Sequence, residues 1–176
     1  IIKRLAKQLI KHTSYFLRPK ELRRWYEDGG DFKLRFNYPL NENSIVFDLG
    51  GFNGDFASEL YARTPCEIYI FEPIKEYQLT IKDRFKLNKM IKVFPFGLSS
   101  KTESTLIDKN GESSSVLVNN SNNKLIKSKE KIQLVNIVDF INEQNIVDVD
   151  LMKINIEGAE YDVLSKLLDE NKLINI

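Results

Sequence analysis

The chain has 176 residues, 42% of them hydrophobic, which is enough for one domain with a sizeable core. Its formal net charge of +1 argues against a dedicated nucleic-acid-binding surface, because such a surface carries a basic surplus. A lone cysteine, Cys66, excludes an internal disulfide, and no apolar run reaches ~20 residues or resembles a secretion signal, so we expect a cytoplasmic protein.

Residues 1–40 are predicted to form a helical segment that precedes the main domain. Within residues 1–13, apolar side chains recur on one face of a helix and basic side chains lie elsewhere. This helix can pack on the domain or on a second copy of the chain, or rest on an anionic membrane surface. His12 has no acid or nucleophile beside it, which argues against a catalytic role. A second short helix is predicted near 21–28, before two glycines.

Strands alternate with amphipathic helices after residue 40. This alternation predicts an α/β fold, with a mainly parallel sheet and helices on both of its faces. The predicted elements of this first part are strands near 44–49, 67–72 and 91–96 and helices near 54–63 and from 73 onward.

Residues 99–136 interrupt the alternation. Two short alternating segments, 103–108 and 114–118, flank Asn110 and Gly111, and Asn-Gly is a strong hairpin signal. The polar run 119–124 predicts a surface loop.

The alternation then resumes as far as the last residues. The predicted elements are a strand near 132–136, a helix near 137–144, a strand near 149–155 and a helix near 158–169. Residues 173–176 resemble the start of another strand. We therefore expect the main domain, residues 41–176, to be incomplete at its C-terminus.

The most informative segment is a buried apolar run that contains Asp48 and ends in a glycine-rich turn. A strand that enters such a turn brings backbone N–H groups and a helix N-terminus close to a ligand. The dinucleotide fingerprint needs a glycine where Phe52 stands, so a pyrophosphate would meet an aromatic ring. Asp48 would repel a diphosphate and attract a ligand with an ammonium and a sulfonium, such as S-adenosylmethionine.

A second apolar run ends in Glu72, twenty-odd residues later. A carboxylate at the tip of a neighbouring parallel strand can accept hydrogen bonds from both hydroxyls of a ribose. The alternative is a carboxylate that interacts with the dipole of the following helix. Together, the two runs predict a cofactor that contains a nucleoside.

A third segment, residues 150–161, reads Asp-Leu-Met-Lys-Ile-Asn-Ile-Glu-Gly-Ala-Glu-Tyr. Here the chain resembles the FkbM family of S-adenosylmethionine-dependent methyltransferases, whose members carry an acid-x-Gly first loop and a strand similar to Lys-Ile-Asp-Val-Glu-Gly-Ala-Glu. The resemblance runs from about Trp25 to the end of the chain. It departs from the family at Asn155, where aspartate is usual, and in the first loop, where Gly-Phe-Asn-Gly replaces Ala-Asn-x-Gly. It implies a Rossmann-like class I methyltransferase fold.

The resemblance and the strand ends together predict a cofactor site, because ligands of open parallel sheets bind beyond the carboxyl ends of the strands. We expect Gly50, Gly51 and Gly54 to let the cofactor approach the main chain closely. We expect Asp48 to contact the amino-acid portion of the cofactor and Glu72 to contact its ribose. Residues expected to border the adenine, or to be plain core, are Phe71, Gly97 and Leu98. The predicted set is completed by Phe52, Asn53, Pro73 and Asn155.

Methyl transfer to a hydroxyl requires positioning and the removal of a proton. The candidates for this catalytic work are Lys153, Glu157 and Glu160, with Glu157 as the leading choice for the base or the acceptor contact. Both glutamates can instead be first-turn carboxylates of the last helix. A buried Lys153 needs a carboxylate partner, and we expect Glu157 or Glu160. Asn155 can orient a group but cannot act as a base.

The sequence therefore predicts an O-methyltransferase that acts on a hydroxyl of a sugar, in a surface glycan, or of a secondary metabolite. The substrate is implied by the resemblance alone. Two alternatives stay open: a nicotinamide-dependent oxidoreductase and a non-catalytic binding or assembly module. With one histidine, one cysteine and an amide at Asn155, we expect no metal site. The expected partner is a small-molecule or glycan acceptor, and homo-oligomer formation stays open.

Overall fold

The computed structural model describes residues 19–108 and 129–172. The chain divides into two units, residues 1–39 and 40–176. The predicted helix at 1–13, the segments 114–118 and 119–124, and the strand start at 173–176 lie outside the described residues. Their predictions remain predictions.

The described part of the first unit contains one helix, α1 (Lys20–Glu27), and a 3₁₀ turn over Leu34–Phe36. The helix ends where Gly29 adopts φ +71°, a conformation that favours glycine. The backbone N–H of Gly30 donates to the carbonyl of Trp25 at 2.7 Å. The predicted short helix before the two glycines is therefore present.

The described part of the second unit alternates strands and helices in the predicted order. Its elements are β1 (Ile45–Leu49), α2 (Asp55–Arg63), β2 (Glu67–Phe71), α3 (Lys75–Arg84), β3 (Ile91–Phe94), β4 (Gly97–Ser99), β5 (Glu103–Asp108), β6 (Lys129–Asn136), α4 (Ile137–Glu143), β7 (Leu151–Ile154) and α5 (Glu160–Asp169).

Four strands form a fully parallel sheet in the order β3-β2-β1-β7. The two central strands, β1 and β2, are buried at four of their five positions because helices cover both faces of the sheet. In the register, Asp48 of β1 lies beside Lys153 of β7. This parallel sheet with helices is the predicted α/β fold, and it is consistent with a Rossmann-like methyltransferase.

A second, three-stranded sheet has the order β4-β6-β5. The strand predicted at 91–96 is present as β3 but ends at Phe94, and a short strand that was not predicted, β4, begins at Gly97 in the second sheet. The break falls at Pro95, which has no N–H to donate to a ladder. Strand β5 pairs antiparallel with β6, from Glu103 beside Leu134 to Asp108 beside Lys129. The strand predicted at 132–136 therefore begins three residues earlier.

An aromatic cluster forms the core against the first sheet. Phe71 stacks on Phe94 with ring centroids 5.1 Å apart, and Phe140 of α4 meets both rings edge-on at 5.0 Å. Phe71 is fully buried, so it belongs to this core. The predicted core residue Cys66 is also fully buried, and burial raises the pKa of its thiol, with a smaller contribution from Asp150.

Candidate active site

A cavity of about 420 Å³ lies at the carboxyl ends of β1, β2 and β7. Its volume is within the range of cofactor and small-molecule sites. The residues that follow these three strands form its polar side, which we call the rim: Gly50, Phe52, Glu72, Asn155 and Glu157. The aliphatic part of the lining, which we call the apolar wall, consists of Ile74, Leu98, Ile107, Ile132 and Leu134.

Glu72 is the best-defined polar group of the rim. Its side chain is only 4% exposed and follows β2 directly. One carboxylate oxygen accepts the N–H of Phe52 and the other accepts the N–H of Ile74, both at 2.9 Å. Each oxygen keeps a further lone pair, so the carboxylate can still accept hydroxyl donors from a ligand.

The pKa of Glu72 is raised to about 7, because burial disfavours the charged form. The two backbone N–H bonds and the nearby Lys153 act in the opposite direction, and Asp48 adds to the increase. A carboxyl group that titrates near neutral pH inside a cavity is typical of functional sites.

The glycines of the first turn make room for other parts of the protein. Gly50 has φ +77°, and a Cβ there would lie 2.0 Å from the carbonyl oxygen of Asn155. Gly54, also at φ +77°, makes room for the ring of Phe85. A Cβ on Gly51 would meet Ile70 at 2.2 Å. Of these three predicted residues, Gly50 alone lines the cavity, at the point where the ends of β1 and β7 approach closely.

A second contact fixes the far end of the same turn. Arg84 of α3 donates to the carbonyl oxygen of Asn53 at 2.8 Å and forms an ion pair with Asp55. Asn53 was predicted to bind the cofactor, but it does not line the cavity, whereas Asp55 does. Phe52 adopts φ +49°, and its ring packs edge-on against Tyr77 at 4.6 Å.

Asp48 and Lys153 form an ion pair beneath the rim. Asp48 is fully buried, and its Oδ1 lies 2.9 Å from the Nζ of Lys153, whose side chain is 15% exposed. Lys153 also donates to the carbonyl oxygens of Gly50 (2.6 Å) and Leu49 (3.3 Å). The expected pairing of Lys153 with Glu157 or Glu160 is therefore wrong. Because their side chains meet within the sheet, neither Asp48 nor Lys153 lines the cavity.

The loop after β7 is held by Glu160, the first residue of α5. One carboxylate oxygen accepts the N–H of Ile156 at 3.0 Å and the other accepts the N–H of Gly158 at 2.8 Å. Burial raises the pKa of Glu160, but the backbone N–H groups around it outweigh that effect and lower the pKa below its ordinary value. Glu160 does not line the cavity, whereas Glu157 does, with φ +54°.

The apolar wall contains residues that the sequence did not indicate. Ile107 of β5 and Ile132 and Leu134 of β6 form one buried cluster with Ile74, and all four line the cavity. Gly97 and Leu98 of β4, which were predicted to border an adenine, also line it. A flat, apolar group such as a nucleobase fits against such a surface.

A match to a family model shows the family of the chain. The model of the methyltransferase FkbM domain matches residues 48–176. This chain belongs to the FkbM methyltransferase family. The predicted family membership is thereby confirmed.

A comparison with curated proteins gives a more distant relative of this FkbM chain. "Methyltransferase 1" of Beauveria bassiana (strain ARSEF 2860) is 27% identical over 154 residues, which cover 76% of this chain. The chain spans 62% of the length of that relative. No solved structure matches the chain.

The structure of the FkbM domain brings together seven of the twelve predicted cofactor-binding residues. The cavity is lined by Gly50, Phe52, Glu72, Pro73, Gly97, Leu98 and Asn155. The other five do not line it: Asp48, Gly51, Asn53, Gly54 and Phe71. Of the three catalytic candidates, the cavity is lined by Glu157 only.

Between residues 19 and 108 and between 129 and 172, no group of three or more histidine, cysteine, aspartate or glutamate side chains is placed to hold a metal ion. Over the same two stretches, none of the helices combines the length and the apolar character that crossing a bilayer requires.

Proposed function

We propose that this chain is an S-adenosylmethionine-dependent O-methyltransferase whose acceptor is a hydroxyl of a sugar, in a surface glycan, or of a secondary metabolite. The observation that carries the cofactor proposal is the 2.9 Å bond from the N–H of Phe52 to Glu72. This bond joins the turn after β1 to the tip of β2, as a site for a nucleoside requires. Family membership supports methyl transfer, and the acceptor class rests on the family resemblance.

The residues of the cavity fit this cofactor. A buried carboxylate with spare lone pairs suits the two ribose hydroxyls, and the apolar wall of Leu98, Ile107 and Leu134 suits an adenine. No described lysine, arginine or histidine lines the cavity, and its charged side chains are Asp55, Glu72 and Glu157. This acidic lining favours a cationic ligand over a pyrophosphate.

The chemistry divides between the cofactor and the chain. When bound, S-adenosylmethionine supplies a methyl group activated by its sulfonium. The chain holds the nucleoside through Glu72, excludes water with the apolar wall, and presents Asn155 and Glu157 at the end of β7. Asn155 can donate and accept hydrogen bonds and can orient an acceptor hydroxyl. Glu157 is the leading candidate for the contact to that hydroxyl or for removal of its proton.

Calorimetric binding of S-adenosylhomocysteine and of NAD tests the cofactor proposal. We expect saturable binding of S-adenosylhomocysteine and no measurable binding of NAD. The reverse result would favour the oxidoreductase alternative and overturn the proposal. Methylation of glycan acceptors by the full-length protein, followed with isotopically labelled S-adenosylmethionine, tests the acceptor class. Cofactor binding without turnover on any hydroxyl acceptor would favour the non-catalytic module.

A further inference from the structure

The order of the strands gives the cavity a direction. The rim runs from Glu72, after β2, through Gly50, after β1, to Asn155 and Glu157, after β7. Neighbouring strands lie about 4.8 Å apart, so the β2 and β7 ends of the rim are separated by about 10 Å. The apolar wall meets the β2 end, because a Cβ on Gly97 would contact both Leu134 and Pro73.

This direction orients a bound nucleoside. With its ribose at Glu72 and its base on the apolar wall, the substituent at the ribose 5′ carbon extends along the rim toward β1 and β7. In S-adenosylmethionine that substituent carries the sulfonium. The positive charge therefore belongs at the β1 and β7 end of the cavity.

The carboxylates near that end differ in their surroundings. Asp48 already pairs with Lys153 and does not reach the cavity surface. Asp55 pairs with Arg84 and is 77% exposed, and it begins the helix after β1. Glu157 follows the end of β7, lines the cavity and is partly buried. Among the described residues, Glu157 is thus the carboxylate on the cavity surface at the β7 end of the rim.

The backbone that carries Glu157 is held in an uncommon conformation. Glu157 has φ +54° and Gly158 has φ +109°, and a left-handed conformation is costly for a glutamate unless its surroundings enforce it. Glu160 makes hydrogen bonds to the N–H groups on either side, those of Ile156 and Gly158. Charge-assisted bonds of this kind are roughly twice as strong as neutral ones. The carboxylate of Glu160 therefore fixes the loop that presents Glu157.

We propose that Glu157 is the carboxylate that faces the sulfonium of the cofactor, and that Glu160 is a positioning residue that holds it there. The proposal rests on the proposed function. It replaces the predicted role of Asp48 toward the cationic part of the cofactor, and it replaces the predicted catalytic role of Glu160. It also gives Glu157 the role of counter-ion to the sulfonium in place of the role of base.

The contribution of the sulfonium charge to binding can be measured by comparing the affinities of two forms of the cofactor. S-adenosylmethionine and S-adenosylhomocysteine differ by one methyl group and by the positive charge on sulfur. A carboxylate a few Å from that charge strengthens binding of the sulfonium form and leaves the thioether form nearly unaffected. The affinity ratio is the affinity for S-adenosylmethionine divided by the affinity for S-adenosylhomocysteine. We expect Glu157→Gln to lower this ratio about tenfold and to change the affinity for S-adenosylhomocysteine less than about twofold.

The positioning role of Glu160 is tested by a double-mutant cycle. We expect Glu160→Ala to lower the same ratio about fivefold, and to have little further effect once Glu157→Gln is present, because the two residues act as one unit. Glu160→Gln keeps the side-chain length and is expected to restore part of the ratio. Asp162→Asn removes an exposed carboxylate from the same first turn of α5 and serves as the matched control, with no change expected.

Hydrogen exchange gives a second readout that needs no cofactor. In Glu160→Ala we expect faster exchange of the Ile156 and Gly158 amides, by about tenfold or more, while the amides of β1 keep their protection.

Distinct results overturn each part of the proposal. If Glu157→Gln leaves the ratio within twofold, Glu157 does not face the sulfonium, even if turnover is lost. If Glu160→Ala and Glu157→Gln act independently, or the two amides keep their exchange rates, Glu160 has no positioning role. Absence of binding of either cofactor form to the unaltered protein would overturn the proposed function itself, which the ratio presupposes.

Discussion

The rim and the apolar wall of the cavity are built in different ways. Three hydrogen bonds hold the rim in place. The N–H of Phe52 donates to Glu72, the ammonium of Lys153 donates to the carbonyl oxygen of Gly50, and the N–H of Ile156 donates to Glu160. The apolar wall is fixed by packing of aliphatic side chains from β5 and β6. On the proposed function, this difference corresponds to a division of work, in which the rim would select the charge and orientation of a ligand and the wall would contribute apolar contact area.

The largest expected effect is on stability and comes from removal of the Lys153 ammonium, which lies beneath the rim. Lys153→Met leaves Asp48 fully buried without its ion-pair partner, which costs about 3–5 kcal/mol of unfolding free energy. Denaturant unfolding measures this loss. Lys92→Met is the control, because its pair with Glu67 is partly exposed and contributes less than about 1 kcal/mol.

The double variant Asp48→Asn with Lys153→Met removes both charges and is expected to recover much of the stability lost by Lys153→Met alone. If Lys153→Met costs no more than Lys92→Met, the rim does not depend on this ion pair.

Loss of the Glu72 carboxylate, which we propose binds the ribose, is expected to have the next largest effect. Glu72→Ala removes the carboxylate that would accept the ribose hydroxyls, and it also leaves the N–H groups of Phe52 and Ile74 without their hydrogen-bond acceptor. Affinity for S-adenosylhomocysteine should therefore fall about a hundredfold. Calorimetry measures the change. Glu67→Ala, at the other end of the same strand, is the matched control and should bind normally. An affinity that stays within a factor of two would refute the assignment of Glu72 to the ribose.

The charge of Glu72 gives the rim a pH dependence. The folded-state pKa of Glu72 is about 7, above its ordinary value of 4.5, so the folded protein favours the protonated carboxyl. Its contribution to the free energy of unfolding is therefore fully present below pH 4.5 and is lost as the pH rises from 4.5 through 7. The ribose hydroxyls need the ionised form as acceptor, so ligand affinity should change in the opposite direction. We expect affinity for S-adenosylhomocysteine to rise about tenfold between pH 6 and pH 8.

Glu72→Gln cannot ionise and should give a flat pH profile in the same calorimetric measurement. A rise of equal size in this variant would assign the pH dependence to another group.

The apolar wall should show the smallest effect and no charge dependence. Ile107→Ala removes buried contact area, so S-adenosylmethionine and S-adenosylhomocysteine should both bind about fivefold more weakly, with their ratio unchanged. Leu106→Ala is the control. Leu106 precedes Ile107 in β5, so its side chain points to the opposite face of the strand, and it is 58% exposed. A change in the affinity ratio would show that the wall and the rim are not separate in function.

The sequence predicted the rim better than the apolar wall, for a physical reason. An apolar strand followed by an acid or a glycine turn has a local pattern, and that pattern located Gly50, Glu72 and Asn155 at the ends of parallel strands. The wall depends on which strand pairs with β5. The structure pairs β5 with β6, more than twenty residues further on, and the sequence carries no local signal for so distant a pairing. The hairpin predicted at Asn110-Gly111 lies outside the described residues.

The roles of charged residues were harder to predict than their positions. Lys153 and Asp48 are neighbours across two strands, and only the register of β1 with β7 brings them together. Without that register, the nearby glutamates 157 and 160 looked like the natural partners of Lys153. The helix-terminal alternative for Glu160 agrees with its bonds to Ile156 and Gly158, which lie just before α5.

The pairing of β1 with β7 has a consequence for synthesis of the chain. The backbone N–H of Ile45 in β1 donates to the carboxylate of Asp150, 105 residues later and immediately before β7, and β1 and β7 carry Asp48 and Lys153. At about 5–20 residues per second, a ribosome completes β1 roughly 5–20 s before β7. During that interval the central strand carries an aspartate without its lysine, and the cavity lacks the residues after β7, Asn155 and Glu157, that complete its lining.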